Sequence, residues 1–432
     1  MKPGTRISFS YKGQQLAGTV INVEHGRLVI KLGSGYNISA APDELKEAKE
    51  LKEGAERSRQ PRKAEPRAPN PNLPTIAFLH TGGTIASRVD YSTGAVTAQY
   101  TAEEVLDLYP ELLAIANIES RLLANIQSEM MRFSHWNLLA EAAEEAVKKG
   151  ADGVIITHGT DILHMSAAAL AFSLENLPVP LLLVGSQRSS DRPSSDAVTN
   201  LLCAANFIAK EGKSFAGVAI CMHEGVRNDD CVILPACRTR KMHTSRRDAF
   251  KAINDVPYAR VSYPSLKIER LREYPSRPEG KLELKPFDEK LRVGLLHVHP
   301  HMYAEELKAY EGFDGLVVSL LGLGHMPTMR TDEQNAENER IYAELQRLAA
   351  KIPVAGAPQT IYGRVDMDVY SPGRQLIEAG VLGQGLDMTP ETAFVKLAWL
   401  LSNHKKGLRQ LYAESLRGEI SPRSEEEGFA QP

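Results

Sequence analysis

The stretch that decides the fold reads IAFLHTGGTIAS and spans residues 76–87. Its apolar beginning predicts a buried β-strand, and Thr81 stands where that strand ends, followed by two glycines. Glycines at such a point let the backbone come close to a ligand and adopt dihedral angles that other residues avoid. The spacing differs from the G-x-G-x-x-G of dinucleotide-binding loops, and no phosphate-binding Gly-Lys-Ser/Thr follows. Taken alone, the stretch is compatible with an active-site turn or with a plain tight turn.

A second stretch, IITHGTD at residues 155–161, repeats the arrangement with a hydroxyl and a carboxylate side by side, Thr160 and Asp161. The carboxyl ends of parallel strands meet at one edge of a sheet, so we expect the two stretches to share one crevice. For the second stretch alone, helix capping is the alternative interpretation, and it is compatible with catalysis. Thr and Asp commonly cap helices, and residues 162–174 have a helical pattern.

Around these stretches the chain alternates short apolar runs with helix-period segments, which is typical of an α/β fold with an open parallel sheet. We predict a large domain at 75–275 and a smaller α/β domain at 290–420. The strands predicted for the large domain are 75–80, 153–157, 181–185 and 217–222, and those for the smaller one are 293–298, 315–320 and 354–357. The alternating stretch 258–285 is expected to form a hairpin that bridges the two.

The N-terminal part of the chain has a different character. Residues 1–45 alternate apolar and polar side chains in short runs with turn signals between them, which predicts a small antiparallel β-barrel. Residues 46–74 are charged and then rich in proline and basic residues, which predicts a linker. An RNA-binding arm is the alternative there, although aromatic residues are absent from it. At the other end, residues 421–432 are expected to be a disordered tail.

Length and composition indicate a globular protein with more than one domain. The 432 residues are 43% apolar and 24% charged, and the formal net charge is −3. A chain without a global positive charge is poorly suited to hold a nucleic acid by itself. The four cysteines contain no Cys-x-x-Cys pair, so we expect buried thiols rather than a zinc site or disulfides. The N-terminus lacks the apolar core of a signal peptide, and we expect a cytoplasmic location.

Together, the two strand-end stretches resemble the two signature motifs of the L-asparaginase family in order, spacing and strand context. The likeness continues through VGSQRSSDRPSSDA at 184–197 and IYGRVDMDVY at 361–370. These longer strings, with the N-terminal domain and linker, resemble the D-subunit family of archaeal glutamyl-tRNA(Gln) amidotransferases rather than free asparaginases. The resemblance covers nearly the whole chain apart from its tail. It implies a two-domain asparaginase-like α/β fold with parallel sheets behind the small β-barrel.

By this resemblance four residues are expected to carry catalysis: Thr81, Thr160, Asp161 and Lys241. A threonine hydroxyl is a weak nucleophile at neutral pH and needs a nearby base. A lysine can be that base only where burial or neighbouring charge lowers its pKa, while a carboxylate holds it in place. Without the resemblance, Lys241 would be interpreted as an ordinary surface residue.

The resemblance also implies four substrate-binding residues: Ser128, Glu129, Ser186 and Tyr91. Ser128 and Glu129 match positions that bind the α-carboxylate and α-ammonium of an amino acid, with glutamine usual at the second position in free asparaginases. An exposed loop pair is the alternative for these two. The main-chain N–H groups of Ser186 and Thr160 are candidate donors to an oxyanion. Tyr91 matches a tyrosine of the family's mobile lid, and an ordinary loop tyrosine is the alternative.

Three histidines alternate at the end of a predicted strand. His297 lies in the strand predicted at 293–298, and His299 and His301 follow it at alternate positions. Paired histidines can bind zinc, but no complementary pattern of Cys or carboxylate ligands accompanies these. We expect no metal and no cofactor in this chain. No ATP-binding loop occurs in the sequence, and ATP and Mg²⁺ are expected on a partner protein.

The resemblance further implies the role of the chain in an assembly. It would take ammonia from glutamine or asparagine for a partner, the amidotransferase E subunit, which would bind Glu-tRNA(Gln). A homodimer at the centre of a heterotetramer, with active sites completed across the interface, is implied as well. Two rival functions are a free L-asparaginase and a catalytically silent docking module. The N-terminal domain and linker argue against the first, and the presence of all four catalytic residues argues against the second.

Overall fold

The structure is a computed structural model of the chain, and it describes residues 2, 4–11, 14–24, 26–32, 37–51, 69–82, 87–89, 96–98, 110–188, 195–227 and 229–429. Among these residues no helix is both long and apolar enough to cross a membrane. The chain forms an N-terminal β domain, a large α/β domain and a smaller α/β domain.

The N-terminal domain is one antiparallel sheet. Its strands are β1 (Arg6–Tyr11), β2 (Gln14–Glu24), β3 (Arg27–Leu32), β4 (Asn37–Ala40) and β5 (Lys46–Glu50). They pair in the order β4-β3-β2-β1-β5 and enclose a core of their own that includes Ile7, Phe9 and Ile30. The predicted antiparallel β domain is confirmed. Its closure into a barrel stays a prediction, because the described pairings leave β4 and β5 at the two edges.

The linker begins later than the sequence indicated. Strand β5 falls inside the predicted linker 46–74, yet it pairs with β1, with Ile7 opposite Glu50. Backbone pairing with β1 orders this charged segment, KEAKE, although it has almost no apolar side chains to bury. Residues 52–68 lie outside the described residues. The end of the segment is bound to the large domain, where the N–H of Asn70 donates to Oδ1 of Asn117 at 2.8 Å.

The large domain contains the strands that position the two sequence stretches. In chain order they are β6 (Thr75–His80), β7 (Ser87–Val89), β8 (Val96–Ala98), β9 (Asn117–Leu122), β10 (Gly153–Thr157), β11 (Leu174–Glu175), β12 (Pro180–Val184), β13 (Gly217–His223), β14 (Asp230–Pro235), β15 (Thr239–Lys241), β16 (Phe250–Ala252), β17 (Ala259–Ser262), β18 (Lys267–Arg270) and β19 (Glu283–Leu284). Eight of them form a sheet in the order β18-β17-β14-β13-β12-β10-β6-β9. The run from β13 to β9 is parallel, which confirms the predicted parallel sheet. Strands β14, β17 and β18 extend it antiparallel.

Helices cover both faces of this sheet: α1 (Phe133–Lys148), α2 (Leu163–Ser173) and α3 (Ala197–Glu211). Strand β10 lies between β6 and β12, and all of its residues are buried. Ile155 packs in one core with Leu201 of α3, whereas Val154 and Ile156 pack in the other with Leu170 of α2. A parallel strand covered on both faces is apolar along its whole length, which is why the sequence predicts it well.

The smaller domain has a parallel sheet of β20 (Val293–His297), β21 (Gly315–Leu320) and β22 (Val354–Pro358), paired in that order. Its helices are α4 (Ala304–Lys308), α5 (Glu337–Ala349), α6 (Ser371–Glu378), α7 (Pro390–Asn403) and α8 (Leu408–Ala413). Leu397 of α7 belongs to one hydrophobic cluster with Phe172 of α2 and Val317 of β21. Helix α7 therefore joins the two α/β domains through a shared core.

Two other segments differ from expectation. The stretch 258–285 does not simply bridge the domains, because β17 and β18 form the edge of the large sheet. Residues 421–429, expected in a disordered tail, contact the body of the protein. The N–H of Ser421 donates to Oδ1 of Asp387 at 3.1 Å, and the rings of Phe429 and Tyr362 lie 5.2 Å apart. These polar and aromatic contacts, which composition does not reveal, hold the segment, and residues 430–432 lie outside the described residues.

Candidate active site

Thr81 lies directly after β6, beside the end of the neighbouring strand β10. The register places His80 opposite Thr157, which confirms that the two strands are adjacent. The N–H and the hydroxyl of Thr81 both donate to the carbonyl oxygen of Thr157, at 3.2 and 2.9 Å. Gly82 follows with φ of +89°, a left-handed conformation that strains any residue with a side chain. The glycine therefore turns the chain while the threonine stays at the strand end.

Thr160 and Asp161 follow the end of β10 and meet Lys241 there. The ammonium nitrogen Nζ of Lys241 donates to Oγ1 of Thr160 and to Oδ1 of Asp161, at 2.9 Å each. The side chain of Asp161 is 63% exposed, whereas that of Lys241 is 10% exposed. A hydroxyl, an amine and a carboxylate are thus joined in one chain of contacts at the carboxyl edge of the sheet.

The helix-capping interpretation of Thr160 and Asp161 is wrong. Helix α2 begins at Leu163, and its N-cap residue is Ile162, which has no oxygen in its side chain and makes no side-chain cap. The oxygens of Thr160 and Asp161 instead accept hydrogen bonds from Lys241. Thr160 and Asp161 precede the helix because the chain turns there from β10 into α2. Helix capping does not explain why a threonine and an aspartate occupy these positions.

The interpretation of Lys241 as an ordinary surface residue is wrong as well. Lys241 ends β15, which pairs with β16 and places Lys241 opposite the buried Phe250. This small ladder carries the lysine to a site 80 positions away from Asp161 in sequence. No local pattern in the sequence around Lys241 indicates that approach.

Ser128 and Glu129 lie in a short turn at the border of the same site. Ser128 is 3% exposed, and its Oγ accepts a hydrogen bond from the N–H of Asp161 at 3.2 Å. This hydroxyl therefore contacts the turn that carries Thr160 and Asp161. Glu129 is exposed and lines a cavity of about 470 Å³ together with Phe133, Ile162 and other residues. Its role as an ammonium ligand stays a prediction.

Ser186 stands just after the end of β12, the strand on the other side of β10. Its side chain is buried, and its hydroxyl oxygen lies 2.8 Å from Oδ1 of Asp196 and within hydrogen-bond distance of the carbonyl oxygen of Arg188, so these two acceptors share its single proton. Because the hydroxyl is engaged inside the protein, Ser186 would meet a substrate through its main chain. This agrees with the choice of its N–H group as a candidate oxyanion donor.

Two glycines of the site were not singled out by the sequence. A Cβ at Gly159 would lie 2.9 Å from the Oγ of Ser128, and a Cβ at Gly185 would lie 2.8 Å from the Cγ2 of Thr160. Any larger residue would push these two site residues away. The only signal in the sequence is that each glycine directly follows a buried strand, or follows it by one residue.

Two buried histidines flank the threonines. Burial lowers the pKa of His80 and the pKa of His158 to about 4, so both rings are neutral at neutral pH. The ring nitrogens of His80 lie 3.0 Å from Oγ1 of Thr157 and 2.8 Å from Oγ of Ser120. These rings support the strand ends by hydrogen bonding and add no charge to the site.

Tyr91 and the three C-terminal histidines stand apart from these contacts. Tyr91 lies outside the described residues. His299 contacts Oε2 of Glu306 at 2.9 Å, and His301 contacts the hydroxyl of Tyr303 at 2.9 Å. Within the described part of the chain, no group of three or more His, Cys, Asp or Glu is arranged to hold a metal ion. The four cysteines are buried free thiols, and burial raises the pKa of Cys221, Cys231 and Cys237.

The contacts among Thr160, Asp161 and Lys241 are suited to proton transfer from a hydroxyl. A neutral amine at the position of Lys241 could accept the proton of the Thr160 hydroxyl across their 2.9 Å contact. Asp161 would hold the resulting ammonium in place, since its Oδ1 already accepts a hydrogen bond from the same nitrogen. The site can therefore activate a hydroxyl for attack on a carbonyl carbon.

Family profiles match the two α/β domains. The profile described as "Asparaginase, N-terminal" matches residues 75–273, and the "Glutaminase/Asparaginase C-terminal domain" matches residues 292–411. The N-terminal β domain lies before both matches.

Named relatives cover more of the chain. The D subunit of glutamyl-tRNA(Gln) amidotransferase from Thermococcus kodakarensis is 43% identical, with 91% of this chain and 87% of that protein covered. The protein of the same name in Archaeoglobus fulgidus is 40% identical, with 97% of this chain and 95% of that protein covered. The similarity therefore includes most of the N-terminal region.

Solved structures of asparaginases share the fold of the α/β body. The thermostable L-asparaginase from Thermococcus kodakarensis superposes with a TM-score of 0.70 at 29% identity, covering 81% of this chain and all of that one. L-asparaginase I from Vibrio cholerae gives a TM-score of 0.68 at 25% identity, covering 81% of this chain and 99% of that one. The predicted asparaginase-like fold is confirmed.

Proposed function

This chain belongs to the asparaginase family, in its branch of glutamyl-tRNA(Gln) amidotransferase D subunits, and from that premise we propose that it is the amide-donor component of a tRNA-dependent amidotransferase. Its reaction releases ammonia from the side-chain amide of glutamine or asparagine. The observation that carries the proposal is the 2.9 Å contact of Lys241 with both Thr160 and Asp161. A hydroxyl, a base and an orienting carboxylate are the groups that a threonine-nucleophile amidohydrolase needs.

The reaction follows from these groups in two halves. The hydroxyl oxygen of Thr81 or Thr160 bonds to the amide carbon as its proton passes to a base such as Lys241. The carbon–nitrogen bond then breaks, the nitrogen takes up a proton, and ammonia leaves an ester between enzyme and substrate. Water cleaves that ester to give glutamate or aspartate and restores the hydroxyl. Main-chain N–H groups of Ser186 and Thr160 would stabilise the negative oxygen that forms in each half.

Substrate recognition is assigned to charged and polar groups beside the catalytic turn. Ser128 would bind the α-carboxylate and Glu129 the α-ammonium of the amino acid, because a carboxylate favours a cation within hydrogen-bond reach. The buried position of Ser128 against Asp161 supports a place at the reaction centre. Tyr91 is proposed to close the site from a lid.

The ammonia is proposed to serve a partner protein rather than to be a waste product. The amidotransferase E subunit would bind Glu-tRNA(Gln) and activate its glutamate with ATP and Mg²⁺, which leaves this chain without a cofactor. Two copies of each protein would form a cytoplasmic heterotetramer around a homodimer of this chain. The net charge of −3 supports this division, because phosphate contacts supply much of the affinity for a nucleic acid.

A free L-asparaginase is the second candidate, and the α/β body alone would support it. The N-terminal β domain favours the amidotransferase role, since the asparaginase profiles begin at residue 75 whereas the amidotransferase relatives cover 91% or more of this chain. An assay with both amides separates the two. A free asparaginase would work at full rate without partner or tRNA.

Substitution of each threonine tests the chemistry. In the complex, Thr81→Ala and Thr160→Ala are each expected to abolish ammonia release from glutamine while amidation with free ammonium persists, because amide hydrolysis needs the nucleophile and the use of free ammonium by the partner does not. Ammonia and Gln-tRNA(Gln) formation would be measured on the same samples. Near wild-type glutaminase activity in either variant would show that this threonine is not essential.

Filter binding tests the division of labour. The isolated chain is expected to bind tRNA weakly at physiological salt, and the complex is expected to bind it tightly. Glutaminase activity should rise when partner and tRNA are both present, because an unregulated amidase would drain glutamine. Tight, specific tRNA binding by the isolated chain would contradict this part of the proposal.

A further inference from the structure

Asp196, at the beginning of α3, is fully buried, and its carboxylate faces the loop that follows β12. It stands at the N-cap position but makes no side-chain cap there. Its carboxylate accepts hydrogen bonds from the hydroxyl of Ser186 at 2.8 Å, the N–H of Gln187 at 3.0 Å and the N–H of Arg188 at 2.9 Å. All three donors belong to the loop that follows β12.

Asn200, one helical turn further along α3, binds Gly185, the first residue of the same loop. Its Nδ2 donates to the carbonyl oxygen of Gly185 at 2.9 Å and lies 3.4 Å from Oδ2 of Asp196. Its Oδ1 lies 2.6 Å from Nδ1 of His223 on β13. The first turn of α3 therefore fixes four successive residues of the loop, Gly185 to Arg188, and is itself fixed to the sheet.

The energetics of burial make this arrangement rigid. A carboxylate that leaves water loses strong hydration and is tolerated only where donors replace that water. Three donors from one loop supply this replacement, two of them main-chain groups that cannot rotate away. Movement of residues 186–188 would deprive the buried carboxylate of these three donors, so this part of the loop is held in one position.

The loop also packs directly against a proposed catalytic residue, Thr160. Gly185 packs against Thr160 so closely that a Cβ would lie 2.8 Å from the Cγ2 of Thr160. Ser186, the next residue, would meet the substrate through its main chain, because its hydroxyl is committed to Asp196. The position of that main chain relative to Thr160 is thus determined by α3.

We infer that Asp196 and Asn200 are positioning residues, which hold the main chain of Ser186 at the distance from Thr160 that amide cleavage requires. The inference rests on the proposed function. Both side chains are 0% exposed, so they would act through the loop rather than by contact with a substrate. A shift of about 1 Å in such a group lowers a reaction rate by about a hundredfold, so loss of the carboxylate acts on the chemical step.

Asp196→Asn is the main test, because it keeps the size of the side chain but replaces one acceptor oxygen with an NH₂ group facing N–H donors. We expect kcat for ammonia release to fall by about a hundredfold and KM to change by less than about threefold, since an oxyanion donor acts mainly in the transition state. Asn200→Ala, which removes the hydrogen bond to Gly185, is expected to lower kcat by about tenfold.

Asp152→Asn is the matched control. Asp152 also accepts a main-chain hydrogen bond, from the N–H of Thr75 at 2.8 Å, but at the opposite end of β6 and β10. Its variant should keep kcat within about twofold of wild type, since it leaves the carboxyl edge of the sheet unchanged. Circular dichroism and urea unfolding would establish the folded fraction of each variant. If Asp196→Asn does not fold, Asn200→Ala decides by the same comparison.

The outcomes separate this inference from the proposed function. If the wild type is active and a folded Asp196→Asn or Asn200→Ala variant keeps the wild-type kcat, the inference is wrong and the proposed function is unaffected. A variant that loses stability but keeps its kcat per folded molecule would overturn it as well, because a purely structural residue behaves that way. A wild-type protein that releases no ammonia from either amide would contradict the proposed function and this inference with it.

Discussion

At the scale of single residues, the position of Lys241 between two oxygens defines the site. Its nitrogen lies 2.9 Å from Thr160 and from Asp161, although most of the lysine side chain is shielded from water. The buried stem restricts the movement of the nitrogen and keeps it between these two oxygens. A lysine with this restriction can exchange a proton with a hydroxyl at a fixed distance.

Lys241→Met keeps the length of the stem and removes the nitrogen. We expect the rate of ammonia release to fall by about a thousandfold or more, because both the base and the link to Asp161 disappear. Lys251→Met on β16 is the control, since Lys251 is exposed and paired with Asp248 away from the threonines. Equal activity of the two variants would remove Lys241 from the mechanism.

Gly185→Ala tests the close approach of the loop to Thr160. The added methyl group would meet Cγ2 of Thr160 at 2.8 Å, and the displacement of that threonine is expected to lower kcat/KM by about ten- to a hundredfold. Gly225→Ala serves as the control, because a Cβ there has no atom within 4 Å. Steady-state kinetics on both variants make the comparison. An unchanged kcat/KM for Gly185→Ala would show that the loop can shift to accommodate the methyl group.

At the scale of secondary-structure elements, helix α7 depends on a buried ion pair. Nζ of Lys396 lies 2.6 Å from Oε1 of Glu419, and both side chains are 0% exposed. Burial lowers the pKa of Lys396, and Glu419 raises it. Glu419 also accepts hydrogen bonds from the N–H groups of Leu416 and Arg417, so the pair fastens the segment after α8 to α7.

Glu419→Gln breaks this pair and leaves the lysine in the protein interior. The free energy of unfolding is expected to fall by about 3 to 5 kcal/mol, the range seen when one partner of a buried pair is removed. Glu425→Gln, which removes the partner of the exposed Arg423, should change it by less than about 1 kcal/mol. Urea unfolding of both variants measures the difference, and a loss for Glu419→Gln as small as that of the control would contradict the assignment.

At the scale of the whole molecule, the two α/β domains share a core around α7, and the large domain contains several buried histidines. Burial lowers the pKa of His80, His158 and His164 from the ordinary 6.5 to about 4. Between pH 6.5 and about pH 4, these three histidines therefore bind protons more readily in the unfolded chain than in the folded one. The contribution of the neutral rings to stability is present above pH 6.5 and is lost as the pH falls towards about 4.

Stability is accordingly expected to decrease from about pH 7 to about pH 5, with each ring contributing up to about 3 kcal/mol over the full titration. His80→Gln removes one of these groups and should show a smaller decrease between the two pH values. Gly225→Ala retains all three rings and should keep the wild-type decrease. Urea midpoints measured at both pH values test this, and an identical decrease in His80→Gln would contradict the role assigned to that ring.

The sequence by itself determined the parts of this protein that depend on local pattern. The apolar runs of β6 and β10 predicted two buried parallel strands, because strands covered on both faces must be apolar throughout. The threonines after them, with the glycines, indicated a site at the carboxyl edge, and the family resemblance supplied Lys241. The strands and the residues at their ends can be predicted from the sequence because they depend only on neighbouring residues.

The tertiary structure decided what joins distant segments. In the folded protein Lys241 contacts Asp161, and Asp196 binds the loop of Ser186 instead of capping its helix. Strand β5 pairs with β1, and residues 421–429 contact the body of the protein. The physical reason is common to all four. A side-chain or inter-strand hydrogen bond depends on the register and packing of segments far apart in the chain, and periodicity within one segment carries no information about that register.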